Sequence, residues 1–139
     1  MNAPLLSPKD FEFPAIALSG VVDHGMYLHF KNCLTGAPQQ GLVVVEISTL
    51  GGDPEIARMM GEDIRFHSDL YPDRRLVFLG KTAVYSAGAT FMSFFATENR
   101  YLTRGTRVMI HERLIPKTVN LSGPLSTCIA TLKANIHEI

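Results

Sequence analysis

The spacing of apolar residues changes several times along the chain, and each change marks an element. Residues 14–20, PAIALSG, read as a short strand closing on Gly20. From Gly25 to Leu34, Met26, Phe30, Cys33 and Leu34 recur at helical spacing, with Gly36 and Pro38 beyond the end. GLVVVEIST, 41–49, is a β-branched run without polar alternation, which predicts a strand covered on both faces. A helix over 54–70 follows the LGGDP turn, with Ile56, Met60, Ile64 and His67 on one stripe. Asp53 is placed to cap this helix and Pro54 to open it. RRLVFLG, 74–80, predicts another buried strand. Residues 86–97 read as a helix apolar on nearly every side, hence central. RYLTRGTRVMIH, 100–111, reads as two short strands about Arg104-Gly105, and 112–123 as irregular. Over 124–139, Leu125, Ile129, Leu132, Ile136 and Ile139 recur at steps of four, three, four and three, a heptad seam on a helix.

Strands alternating with helices predict an α/β domain with a mainly parallel sheet. Residues 1–12, with Pro4 and Pro8, read as a flexible arm and 13–139 as the domain. The last helix stops on an apolar seam residue with no Gly, Asn or basic cap, so the functional polypeptide is expected to continue past Ile139. Composition narrows the function. A chain of 139 residues that is 46% apolar can bury one real core. Thirteen basic and thirteen acidic side chains cancel, and no basic run offers a nucleic-acid surface. No apolar stretch reaches the roughly 18–20 residues of a membrane span, and the N-terminus lacks a secretory pattern. Cys33 and Cys128 form neither a disulfide framework nor a metal spacing; they read as core thiols in a reducing, cytoplasmic setting. No cofactor or metal is expected.

KTAVYSAGATFMSFFAT, 81–97, places Ser86 at the mouth of the central helix. Such a serine can simply cap the helix. It can also be a nucleophile, with the N–H of Ala87 donating to a developing oxyanion. The turn is half of a G-x-S-x-G elbow, because Val84 stands where the first glycine belongs. Of five histidines, His24, His29, His67 and His137 lie in helical segments and read as packed or solvated. His111 ends the RVMI strand, where an α/β sheet delivers side chains to a site, and is the candidate base. Gly51-Gly52, after a buried strand, is either a bare tight turn or a backbone N–H open to a ligand. LGGDPE lacks the dinucleotide-binding spacing, and LGKT at 79–82 lacks the first glycine of a phosphate loop, where Arg75 stands.

The three pieces ISTLGGDPEIA, VYSAGAT and TRVMIHERL together resemble the proteolytic subunit of the Clp protease, the ClpP family of serine peptidases. That family runs a strand into SPGG, another into ASMGA and a third into RVMIH. The resemblance covers about residues 14–139 and is strong at the motifs. It implies Ser86 as nucleophile, His111 as general base, and the N–H groups of Gly52 and Ala87 as oxyanion hole. It further implies a ClpP/crotonase-like fold of stacked βαβ units and a C-terminal handle-type helix. A peptide or protein substrate, ring homo-oligomers and an ATP-dependent unfoldase partner belong to the same expectation. Leu50 replaces the family's proline, and Glu112-Arg113 replaces its usual Gln-Pro. The family's triad aspartate falls beyond Ile139, and Glu112 is a poor substitute because adjacent strand residues point to opposite faces. Alternatives on the same scaffold are a catalytically silent ring subunit, a crotonase-type acyl-CoA-binding enzyme, and a serine–lysine peptidase using Lys81.

Overall fold

Strand parity sorts the buried residues onto two faces of one parallel sheet. In the computed structural model the described residues are 3–110 and 137–138. They form strand β1 (Ile16–Ser19), helix α1 (His24–Gly36), β2 (Gly41–Thr49), α2 (Pro54–Leu70), β3 (Arg74–Tyr85), a six-residue helix α3 (Ala87–Met92), β4 (Arg100–Leu102), β5 (Arg107–Met109) and β6 (His137–Glu138). The sheet order is β1-β2-β3-β4-β6, with β5 joining β3 beyond β4. All these pairings are parallel, so the expected α/β class with a parallel sheet is what the chain adopts.

The first face carries Ile16, Leu18, Val43, Val45, Ile47, Leu76, Phe78 and Val84, packed under the three helices. The second carries Val44, Val77, Leu79 and Tyr101, joined by Phe11. Val43, Val44 and Val45 are all buried, as their unbroken apolar run predicts. Residues 3–11 contact the second face. Phe11 lies 5.1 Å from the Tyr101 ring centroid, and the Leu6 amide donates to the Tyr101 hydroxyl at 3.0 Å.

The helix starts are local. Asp23 accepts from the Met26 N–H, and Asp53 from the Glu55 N–H, both at 2.9 Å. Pro54 opens α2, where its missing N–H costs nothing. Phe91 of α3 packs edge-on against Phe30 and Phe95, with centroids 5.6 and 5.2 Å away. A Cβ on Gly61 of α2 would overlap the Phe94 ring, so this glycine lets α2 approach the end of α3.

Three boundaries differ from the sequence expectation. β3 continues past Gly80 to Tyr85. Ile47 pairs with Gly80 but Thr49 with Val84, so β3 carries two extra residues there, and Thr82 adopts φ 63°. A Cβ on Gly80 would lie 2.6 Å from the Leu102 and Val84 side chains. This glycine therefore marks a close approach within the strand, not its end. The helix read over 86–97 spans only Ala87–Met92. Phe94 and Phe95 donate to the carbonyls three residues back, tightening the chain out of the α-helix. Phe95 is buried from the turn as it would be from a helix, so the apolar pattern could not place the boundary. Finally, His137–Glu138 is a strand paired with Tyr101–Leu102, where the heptad seam predicted helix. The open edge of β4 offers those two residues a complete backbone ladder. The other residues of the expected handle-type helix lie outside the described residues.

A polar cluster sits between α1 and α2. Lys31 pairs with Asp63 at 3.1 Å, and one turn on His67 buries its Nδ1 without a partner among the described residues. Burial holds the His67 imidazole below its ordinary range, helped by the Arg74 and Lys31 charges and opposed by Asp63. The folded state therefore favours the neutral ring, while the unfolded chain takes up its proton near pH 6.5. This contribution to stability is complete above that pH and is lost as pH falls through the window toward the lower folded value. Urea denaturation between about pH 7.5 and about pH 5 should show a steeper loss for the wild type than for His67→Gln. Phe91→Ala should lower stability by about 3–5 kcal/mol, read from the shift of the urea midpoint.

Candidate active site

Ser86 follows the last residue of β3. Its amide donates to the Met109 carbonyl at 2.7 Å, next to the Tyr85–Met109 pair that closes the ladder with β5. Its backbone lies at φ 53°, ψ −108°, a region that costs a non-glycine residue about 1–3 kcal/mol. A capping serine sits in extended backbone and accepts an N–H of the first turn. Ser86 does neither: its side chain makes no capping bond, although Thr90 N–H reaches its carbonyl at 3.1 Å. The cap that could offset the strain, worth about 1 kcal/mol, is missing. What the backbone achieves is a sharp strand-to-helix turn that sets a half-buried Ser86 at the end of the sheet. Gly88, the elbow glycine that is present, is required by packing, since its Cβ would lie 2.5 Å from Thr49 Cγ2.

The Gly51-Gly52 turn sits beside that hydroxyl. A Cβ on Gly51 would lie 3.2 Å from Ser86 Cβ and 3.8 Å from Oγ. Both glycines have positive φ, 118° and 150°. Val22 grips the turn, donating to the Gly51 carbonyl at 2.9 Å and accepting from Asp53 N–H at 2.8 Å. A side chain on Gly52 would collide with the Val22 backbone. Thr49, buried at the end of β2, braces the turn from below: its Oγ1 accepts the Gly51 N–H at 3.0 Å. The N–H groups of Gly52, which is exposed, and of Ala87, the first residue of α3, take no acceptor among the described residues.

The fold thus brings Ser86, Gly52 and Ala87 to one end of the sheet. His111 lies outside the described residues; β5 delivers Met109 to the flank of Ser86 two positions before it. Lys81, weighed as an alternative base, pairs with Glu46 at 3.2 Å and does not support that reading. His24 and His29 are exposed on α1, and Cys33 is partly buried, 3.7 Å from His29 Nε2. Sequence reasoning did not single out Thr49. Its only signal was a hydroxyl two residues before the glycine pair. Among the described residues no group of acidic, His or Cys side chains could hold a metal, and no helix is long and apolar enough to cross a membrane.

With no capping bond to lose, Ser86→Ala should leave the thermal unfolding midpoint within the shift of about 0.5 kcal/mol typical of surface substitutions. A loss near 1 kcal/mol would identify the residue as a cap after all.

No protein-family model and no curated protein matches the chain. Solved structures do. ClpP1 from Listeria monocytogenes superposes with a TM-score of 0.61 at 20% identity, over 84% of this chain and 65% of that one. A point mutant of the same protein gives 0.62 at 19% identity, over 86% and 64%. The chain spans just under two thirds of the length of these proteins. A parallel sheet crossed by βαβ units, in this order and with this superposition, is the ClpP-like fold.

Proposed function

We propose that the chain is the core of a ClpP-like serine endopeptidase that cleaves extended peptides. The observation that carries the reading is the strained, uncapped Ser86 beside the bare Gly51-Gly52 turn. In the reaction, His111 takes the Ser86 hydroxyl proton as the oxygen attacks a peptide carbonyl. The N–H groups of Gly52 and Ala87 receive the oxyanion, each donor worth about 3 kcal/mol in the transition state. The amine leaves with the proton from His111, and water then attacks the acyl-enzyme with His111 again as base. Leu50 and Met109 are exposed on either side of Ser86 and offer apolar contacts to a peptide lying along the strand ends. Such binding reads main chain more than side chain, so broad specificity is expected. Likeness to ClpP proteins extends the proposal to ring homo-oligomers in the cytoplasm, fed by an ATP-dependent unfoldase.

An acyl-CoA-binding enzyme could use the same two amides, but it would leave the strained hydroxyl without a task. A fluorophosphonate probe followed by peptide mapping separates the readings. Ser86 should be the labelled residue, and Ser86→Ala should abolish labelling. His111→Ala should slow it by about 100-fold or more. Gly52→Ala, whose methyl has no room against Val22, should slow it by a similar factor while Ser86 remains present. A folded chain whose Ser86 stays unlabelled, and which binds a CoA thioester tightly, would replace the peptidase reading with the acyl-CoA one.

A further inference from the structure

A concave feature lies toward the end of the sheet where β3 begins. It is a cleft of about 630 Å³ between the C-terminal part of α2, the first residues of β3 and the turn from Ser93 to Arg100. Its floor at Arg74 lies the length of β3, roughly 30 Å, from Tyr85, while its Ser93–Phe94 wall is the far end of α3, roughly 10 Å of helix from Ser86. Four arginines line it, Arg65, Arg74, Arg75 and Arg100, against the single carboxylate of Asp69. In a chain whose formal charges cancel, this is a local concentration of positive charge.

None of the four belongs to an ion pair among the described residues, where the pairs use Lys31, Arg58 and Lys81. Their partners are neutral. Arg74 donates to the carbonyls of Pro38 and Ala37, and Arg100 to those of Phe95 and Ser93. Arg75 donates to Asn99 Oδ1 and to the Pro4 and Glu98 carbonyls. Carbonyl oxygens satisfy donors but cancel no charge. The structural reading, arginines stapling loops and helix ends, accounts for these bonds. It does not account for what remains. Arg74 is only 6% exposed, and its Nη1 is buried with no acceptor among the described residues. Arg65 makes no hydrogen bond among those residues; its guanidinium rests 4.5 Å over the Phe94 ring, which also lines the cleft. Burial holds Arg100 below the usual guanidinium range, and Arg65 pushes the same way against Glu98.

We propose that this cleft binds a small, multiply charged oxyanion, a phosphate or polycarboxylate group, through the unengaged guanidinium of Arg65 and the remaining Nη1 donors of Arg100, with the charge of Arg74 and Arg75 behind them. Planar guanidinium forks match both oxyanion geometries, and charge-assisted bonds to them are the strong kind. The site is independent of the chemistry assigned to Ser86.

Calorimetric titration of the full chain with inorganic phosphate, and separately with tricarballylate, at constant ionic strength set by chloride, tests it. At least one anion should bind saturably, and which one does distinguishes a phosphate ligand from a carboxylate ligand. Arg65→Gln removes no hydrogen bond of the fold and should weaken binding about tenfold or more. Its unfolding midpoint without anion should stay close to that of the wild type. Arg58→Gln, exposed elsewhere on α2, is the control and should leave binding unchanged. The proposal is overturned if neither anion saturates below about 10 mM. It is equally overturned if Arg65→Gln binds as the wild type does, or if Arg58→Gln weakens binding to the same extent.

Discussion

Parallel pairing along β3 is the constraint on which the other features depend. Its first half sits between β2 and β4, and its second half between β2 and β5. The irregularity between Gly80 and Val84, where β3 carries two extra residues, coincides with that change of neighbour. There the Thr103–Thr106 turn folds onto the Gly80 carbonyl, which accepts from Thr103 N–H and Thr106 Oγ1, both at 3.0 Å. Without the irregularity, β3 would run straight past the turn, and Tyr85 would not meet Met109 at the edge of the site. A bulge here re-aims a strand end, a recurrent device next to functional sites.

The site is built mostly from backbone. Two glycines at positive φ, a serine at positive φ and a helix start converge within van der Waals reach. The strain at Ser86 persists because its neighbours over-determine it: Met109 holds its amide, α3 holds its carbonyl, and Thr49 leaves no room at Gly88 for anything larger than hydrogen. Val22 does the same for Gly52. Side-chain identity matters at few positions, which suits a scaffold that resembles proteins of known structure at only about one fifth identity.

Charge is distributed by the same topology. The strand starts and helix ends gather arginines against carbonyls, whereas the opposite end of the sheet gathers amide N–H groups that take no acceptor among the described residues. Under the two proposals both ends take negative charge, one as a fixed cationic cleft and the other as oriented dipoles facing charge that forms transiently. Between them lies the core of Phe30, Phe78, Phe91 and Phe95, whose rings pack edge to face or tilted.

The amino-acid order alone determined the α/β class, the buried run of β2, the Asp53-Pro54 start of α2 and the candidacy of Ser86, Ala87 and the Gly51-Gly52 turn. These rest on local rules: apolar period, capping chemistry, and glycine where a turn needs it. Tertiary structure decided the rest. Gly80 reads as a strand end until Leu102 and Val84 are seen crowding it. Ser86 reads as a cap until its torsion and missing bond are known, because φ at one residue is set by the elements that grip it from both sides. The end of α3, the two-residue strand at His137–Glu138 and the clustering of four arginines from separate segments all depend on contacts between residues distant in the chain. A linear pattern carries no information about which of those segments meet, since the free energy that selects the arrangement comes from burying them together.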